Sequence, residues 1–276
     1  MSVTHHGVNY RVADVHAHIY PGKIAEKATA SVGDFYHTSM ETVGLPHVLA
    51  QKGGVAGIDR FLVCSVATKV AQVRSINEFI ARKCAEYPSF TGLAAWHQDI
   101  EDIEGELEDI EAKGLKGIKL HPDFQEFYID DEKMIPFYRA AHRRKLPILF
   151  HMGDYRTDFS SPRRLMNVLE KLPELTCIAA HLGGYTEWEA AKKELSGTNV
   201  YVDTSSSLFA LTKEQARESI EHFGVKHTMF GTDFPMWEPA GELNRFFALE
   251  LSEEENRAIL YDNFARLFHS VGGGDG

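Results

Sequence analysis

Short runs rich in β-branched and aromatic residues alternate with amphipathic stretches along almost the whole chain. The runs are Tyr10 to Ile19, Arg60 to Val66, Phe90 to Trp96, Leu115 to His121, Leu146 to His151, Leu175 to His181, Asn199 to Thr204 and His227 to Asp233. Their composition and length are those of strands. Between them apolar residues recur at helical spacing over 70–87, 100–112, 131–144, 162–171, 186–195, 213–222 and 252–269. Thr212-Lys213-Glu214-Gln215 and Ser252-Glu253-Glu254-Glu255 have the form of capping boxes, so helices are predicted to start there. Gly114 is placed to end the helix before the fourth run.

Eight strand–helix alternations over roughly 250 residues predict an α/β fold, a (β/α)8 TIM barrel. The competing open, doubly wound sheet carries GxGxxG after its first strand, and none is found here. No linker or shift in composition divides the chain, so a single domain over 1–276 is expected, with the barrel from about 10 to 269. The segment from Tyr20 to Pro46 takes up most of the length beyond a minimal barrel. The glycine-rich end, 270–276, reads as a flexible tail.

Composition narrows the partners. With 43% hydrophobic and 25% charged residues in 276, the chain has the make-up of a soluble globular protein with a sizeable core. Asp and Glu number 40 against 29 Lys and Arg, a formal charge of -11, which argues against nucleic acid and against an anionic membrane surface. No apolar run approaches the ~20 residues that span a bilayer. A small-molecule substrate is the expected partner, and a homodimer is compatible with the sequence. The cysteines Cys64, Cys84 and Cys177 are odd in number and form no CxxC pair, and the N-terminus has no basic segment leading into an apolar one. A reduced, cytoplasmic protein is expected.

The candidate chemistry lies at strand ends, where barrel enzymes keep their sites. Six of the 14 histidines fall there: His16, His18, His97, His121, His151 and His181. In Asp14-Val15-His16-Ala17-His18 the two imidazoles are two residues apart and share one face of a strand. Barrel closure sets the eighth strand, ending in Asp233, beside the first, and His151 reaches the axis from across the barrel. Three imidazoles and a carboxylate form the ligand set of a catalytic zinc-like site with an open position. His181 is read as an acid/base group rather than a further ligand. Lys119 and His121 share a face of the fourth strand and border the site. Arg156 is a candidate clamp for a substrate carboxylate, and Trp96 a candidate wall. Cys64 and Cys177, inside strands, read as small core residues.

Asp14-Val15-His16-Ala17-His18, Phe150-His151-Met152-Gly153, Ala180-His181-Leu182-Gly183-Gly184 and Gly231-Thr232-Asp233-Phe234-Pro235 together resemble the amidohydrolase superfamily. More narrowly they resemble the amidohydrolase-related branch that contains aminocarboxymuconate-semialdehyde decarboxylase and other aromatic-acid decarboxylases. The resemblance implies that His16, His18, His151 and Asp233 ligate one divalent metal, Zn2+ or alternatively Mn2+, and that His181 is the non-ligating catalytic histidine. Some branches of the superfamily carry a carboxylated lysine on the fourth strand. Lys119 stands in that region, and is equally readable as a substrate-anchoring cation or as a strand residue paired with a carboxylate.

Two reactions fit such a centre. In hydrolysis of a small amide, ester or lactone, Asp233 or His181 removes a proton from water and His181 protonates the leaving group. In non-oxidative decarboxylation of a small, aromatic or other, carboxylic acid, the ion holds a substrate carboxylate or adjacent oxygen, and His181 or metal-bound water protonates the carbon that loses carbon dioxide. The expectation is a metal-dependent hydrolase, with the carboxy-lyase as the alternative and a non-catalytic metal-containing binding barrel as a third reading.

Overall fold

Eight parallel strands follow one another around a closed ring in the computed structural model, which describes residues 1–269. They are β1 (Ala13–His18), β2 (Arg60–Cys64), β3 (Phe90–Gly92, continued by Ala94–Ala95), β4 (Ile118–Leu120), β5 (Ile148–Phe150), β6 (Cys177–Ala179), β7 (Tyr201–Asp203) and β8 (Thr228–Met229). Neighbours in this order are paired in parallel. Two joins complete the ring. At β3, Leu93 N donates to Val63 O and Ala94 N to Gly117 O, so one strand passes from the β2 side to the β4 side. Between β8 and β1, Val15 N donates to Phe230 O, Asp233 N to His16 O and His18 N to Phe234 O, at 2.9, 2.8 and 2.7 Å. These bonds continue the parallel ladder and close the barrel. The expected tail, 270–276, lies outside the described residues.

The regular strands are shorter than the sequence runs because strong curvature breaks the ladder at each end. In β1 the register to β2 shifts between Asp14 and Ala17, a bulge that adds one residue to β1 just where His16 sits. Two apolar layers follow from strand alternation. Val15, Leu62, Leu93, Leu149, Ile178 and Met229 fill the barrel interior together with Tyr261 and Phe264 from the C-terminal helix. Phe61, Val63, Ile118, Phe150 and Val202 face outward against the helices.

The helices α3 (Val70–Glu86), α4 (Ile103–Ala112), α5 (Ile135–Arg143), α6 (Pro162–Lys171), α7 (Trp188–Glu194) and α8 (Lys213–Phe223) lie where helical spacing predicted them. Both capping boxes form, at Thr212 and at Ser252, and Gly114 adopts φ +72° after α4. Three helices stand in segments where no helix was predicted: α1 (Ala25–Tyr36), α2 (Pro46–Val55) and α9 (Pro239–Phe247). In α2 the pattern is broken by Gly53, which is needed because a Cβ there would stand 2.2 Å from the Phe61 ring. An N-terminal hairpin, Val3–His5 with Val8–Tyr10, was also not expected.

Candidate active site

The wall between β1 and β8 is held by one buried carboxylate. Asp14 accepts from Thr232 N at 2.9 Å, from the Thr232 hydroxyl at 2.6 Å and from His16 N at 3.1 Å. Its burial is complete, and this pushes its pKa up to about 7 against the pull of those bonds. The result is a rigid edge from which His16, His18 and Asp233 emerge together. Asp233 holds φ +58°, and His181 and Leu182 hold +62° and +50°. Left-handed backbone at three non-glycine residues is costly, and here it turns the ends of β6 and β8 into the mouth of the barrel.

The hydrogen positions on the imidazoles follow from their outer partners. His16 Nδ1 lies 3.2 Å from Asp203 Oδ2 and 3.0 Å from Ser205 Oγ. The Ser205 hydroxyl is itself spent on Asp203 Oδ1, so Nδ1 of His16 carries the hydrogen. His181 Nδ1 is 3.0 Å from the Ser205 carbonyl, which only accepts. His151 Nε2 is 3.1 Å from the Gly153 carbonyl. His18 Nδ1 faces the Cys64 thiol at 3.7 Å. On His16, His151 and His181 the opposite ring nitrogen therefore turns its lone pair inward, while His18 Nε2 points inward beside Asp233.

Those inward nitrogens come in two facing pairs. His16 Nε2 and His18 Nε2 are 3.2 Å apart, with Asp233 Oδ1 at 3.7 and 3.4 Å from them. His151 Nδ1 and His181 Nε2 are 3.0 Å apart. Nitrogens this close repel unless a proton or a metal ion is shared between them, and the donor set of imidazole and carboxylate suits a divalent metal. The surrounding charges agree. Burial and the Lys119 ammonium lower His16 to about 4. His18 resists its burial, because Cys64 and Asp233 face it, and rises to about 9. Burial works to raise Asp233, yet the ring of His16, His18 and His181 holds it well below the usual carboxylate range.

His16, His18 and Asp233 gather their ligand atoms within 4.8 Å of one another. His151 is not part of that group; its inward nitrogen pairs with His181 instead. His16, His18, Asp233 and His151 all line one cavity. Lys119 is fully buried, with Nζ 3.0 Å from His16 Nε2, and no described carboxylate forms an ion pair with it. Burial lowers its pKa while Cys64, Asp233 and Asp203 oppose that. His121 stacks on His151 with ring centroids 3.9 Å apart and on Phe124 at 3.7 Å, so it borders the site.

Two other candidates are placed elsewhere. Ala95 is paired with Lys119 and shares its side of the sheet, so the next residue, Trp96, turns outward and stacks on Phe137 of α5 at 4.0 Å. It is core, not a wall of the site. Arg156 is already engaged: its guanidinium pairs with Asp154, donates to the Phe35 carbonyl and lies 4.6 Å over the Phe35 ring. It anchors the end of α1 rather than standing free for a substrate.

Sequence reasoning missed Asp203, Ser205 and Tyr36. Asp203 and Ser205 belong to the polar run Asp203-Thr204-Ser205-Ser206-Ser207 at the end of β7, an unusual sequence for a buried position and the signal that points to them. Tyr36 has no local signal, because α1 has none. Its hydroxyl lies 3.0 Å from His121 Nε2 and 3.2 Å from His151 Nε2. A cavity of about 740 Å³ opens from His16, His18, His121, His151, Asp233 and Tyr36 and extends between α1 and α3 past Val32, Ile76 and Phe79.

Fold and donor set define a barrel enzyme built around a metal centre at the C-terminal ends of its strands. The chain belongs to the amidohydrolase family, whose model matches residues 13–269. Among solved structures it is similar to 5-carboxyvanillate decarboxylase from Sphingomonas paucimobilis, with TM-score 0.72, 16% identity, and coverage of 94% of this chain and 99% of that one. It is similar to a dihydroxybenzoic acid decarboxylase from Polaromonas with bound manganese, with TM-score 0.72, 16% identity and coverage of 94% and 97%. A protein from Pseudomonas putida assigned as a 2-pyrone-4,6-dicarboxylic acid hydrolase follows, with TM-score 0.68, 15% identity and coverage of 95% and 98%. At these identities the likeness establishes the fold. No curated protein matches the chain in sequence. Among the described residues no helix is long and apolar enough to cross a membrane.

Proposed function

We propose that the protein is a metal-dependent hydrolase acting on a small amide, ester or lactone. The observation that carries this is the inward convergence of His16 Nε2, His18 Nε2 and Asp233 Oδ1 on a cavity large enough for a small organic substrate. His16, His18 and Asp233 would hold the ion, with His151 and His181 on its far side. When bound, a divalent ion supplies Lewis acidity, lowering the pKa of water in the site toward neutrality and polarising a carbonyl. Imidazole-rich ligation favours zinc; manganese, found in the Polaromonas decarboxylase, is the other candidate.

The chain's own groups then divide the proton work. Asp233 Oδ2 is fixed by the Ser206 hydroxyl at 2.6 Å, which orients the carboxylate that serves as the base. His181, whose pKa is lowered by burial, is neutral at pH 7, and its Nε2 lone pair accepts a proton and passes it to the leaving atom. The Ser205 carbonyl keeps that ring in the required tautomer.

Decarboxylation is the second reading. It is favoured by the aromatic lining of Tyr36, Phe124 and the stacked His121, which suits a flat carboxylic acid, and by the activities named for two of the similar structures. The deciding experiment assays small amides, lactones and aromatic acids in 18O-water with added zinc or manganese. Metal-dependent turnover with 18O in the product is expected. Carbon dioxide released without 18O incorporation replaces the hydrolase with the lyase, and turnover that persists after chelation removes both.

A further inference from the structure

Counting hydrogens around Tyr36 leaves one without a protein partner. His121 Nδ1 accepts from the backbone N–H of Phe124 at 3.3 Å, so the hydrogen of this neutral ring is on Nε2. Nε2 lies 3.0 Å from the Tyr36 oxygen and donates to it. His151 carries its hydrogen on Nε2 as well, because the Gly153 carbonyl faces that atom at 3.1 Å, and the Tyr36 oxygen is 3.2 Å away from the same N–H. The phenol oxygen thus receives the His121 N–H and shares the single His151 N–H with the Gly153 carbonyl, and no described residue offers an acceptor to its own O–H. Tyr36, His121 and His151 all line the cavity.

We propose that the Tyr36 hydroxyl is a substrate-binding donor, aimed into the cavity at an anionic oxygen of the substrate, either a carboxylate or the oxyanion that develops at an attacked carbonyl. The inference rests on this cavity being the substrate site. The His121 N–H, with the shared His151 N–H beside it, polarises the O–H and strengthens it as a donor, and a charged oxygen is the acceptor that gains most from such a bond. The phenol stays protonated: burial raises its pKa, and the carboxylates of Asp233, Asp123 and Asp154 raise it further. The hydroxyl is delivered by α1, whose end is pinned by Arg156 through the Phe35 carbonyl. Donor and site therefore come from different segments, and the donor is in place before substrate arrives.

The test uses benzoate and its uncharged analogue nitrobenzene as calorimetric probes of the metal-loaded protein, with bound metal counted separately. Y36F is expected to keep its metal and its nitrobenzene affinity and to lose benzoate affinity ten- to a hundredfold. Installing 3-fluorotyrosine at position 36, which keeps the ring and makes the donor more acidic, is expected to tighten benzoate binding and covers the case in which Y36F folds poorly. Equal benzoate affinity in wild type and Y36F overturns the proposal. So does a parallel loss of both probes, which marks a packing role, or a wild-type protein that does not bind benzoate. Loss of metal from wild type would instead strike the hydrolase reading, which the metal count reads on its own.

Discussion

Asp203 Oδ2 stands 3.2 Å behind His16 Nδ1, and both side chains are buried. This carboxylate fixes which nitrogen of His16 faces the cavity. D203A leaves that choice open, and the protein is expected to bind zinc 10- to 100-fold more weakly while remaining folded. Competition with a chromophoric chelator measures it; unchanged affinity would show that Asp203 does not orient the ligand.

Asp14 ties β1 to the end of β8 through two donors of Thr232, and takes a third, His16 N, from its own strand. D14A strands those donors in a dry interior and is expected to cost about 3 kcal/mol, read from urea unfolding. A loss under 1 kcal/mol would mean that the β1–β8 backbone bonds close the barrel unaided.

Glu242 is buried on α9, and its Oε2 has no hydrogen-bond partner. Burial raises its pKa to about 7, with Arg245 opposing. The folded state therefore holds this proton more firmly than the unfolded chain does. The stabilisation is complete below the unfolded value of 4.5 and fades as pH rises toward 7. E242Q removes that dependence and is expected to be more stable than wild type at pH 8 by about 2 kcal/mol, with little difference at pH 4.5. Identical pH–stability curves for the two proteins would contradict it.

Arg156 closes off the last turn of α1 by donating to the Phe35 carbonyl. R156A is expected to speed limited proteolysis within 25–36 several-fold, with metal content and the global unfolding midpoint little changed. A cleavage pattern like that of wild type would show that α1 is held by its other contacts.

The barrel was readable because its strands are buried on both faces and its helices on one, so the period of apolar residues differs between them. The same reasoning found His16, His18, His121, His151, His181 and Asp233 from their positions at strand ends. It lost Trp96 because alternation could not be counted across the irregularity at Leu93. It misread Arg156 because a loop guanidinium two residues from Asp154 bonds to its neighbour. It did not find Tyr36, whose helix buries the small residues Ala25, Thr29 and Gly33 along one face and so shows no stripe of large apolar side chains. The contact of His151 with His181 was not expected; it follows from the adjacency of β5 and β6.

Asp14 and Thr232 are separated by 218 residues in the chain. On the ribosome the His16–His18 pair is made early and then waits for nearly the whole protein to be synthesised before Asp233 leaves the exit tunnel. Until that moment the nascent chain has two exposed imidazoles and no closed site, so an ion captured early would be bound by whatever side chains lie nearby. The wall that carries His16, His18 and Asp233 is therefore complete only when the last strand closes on the first.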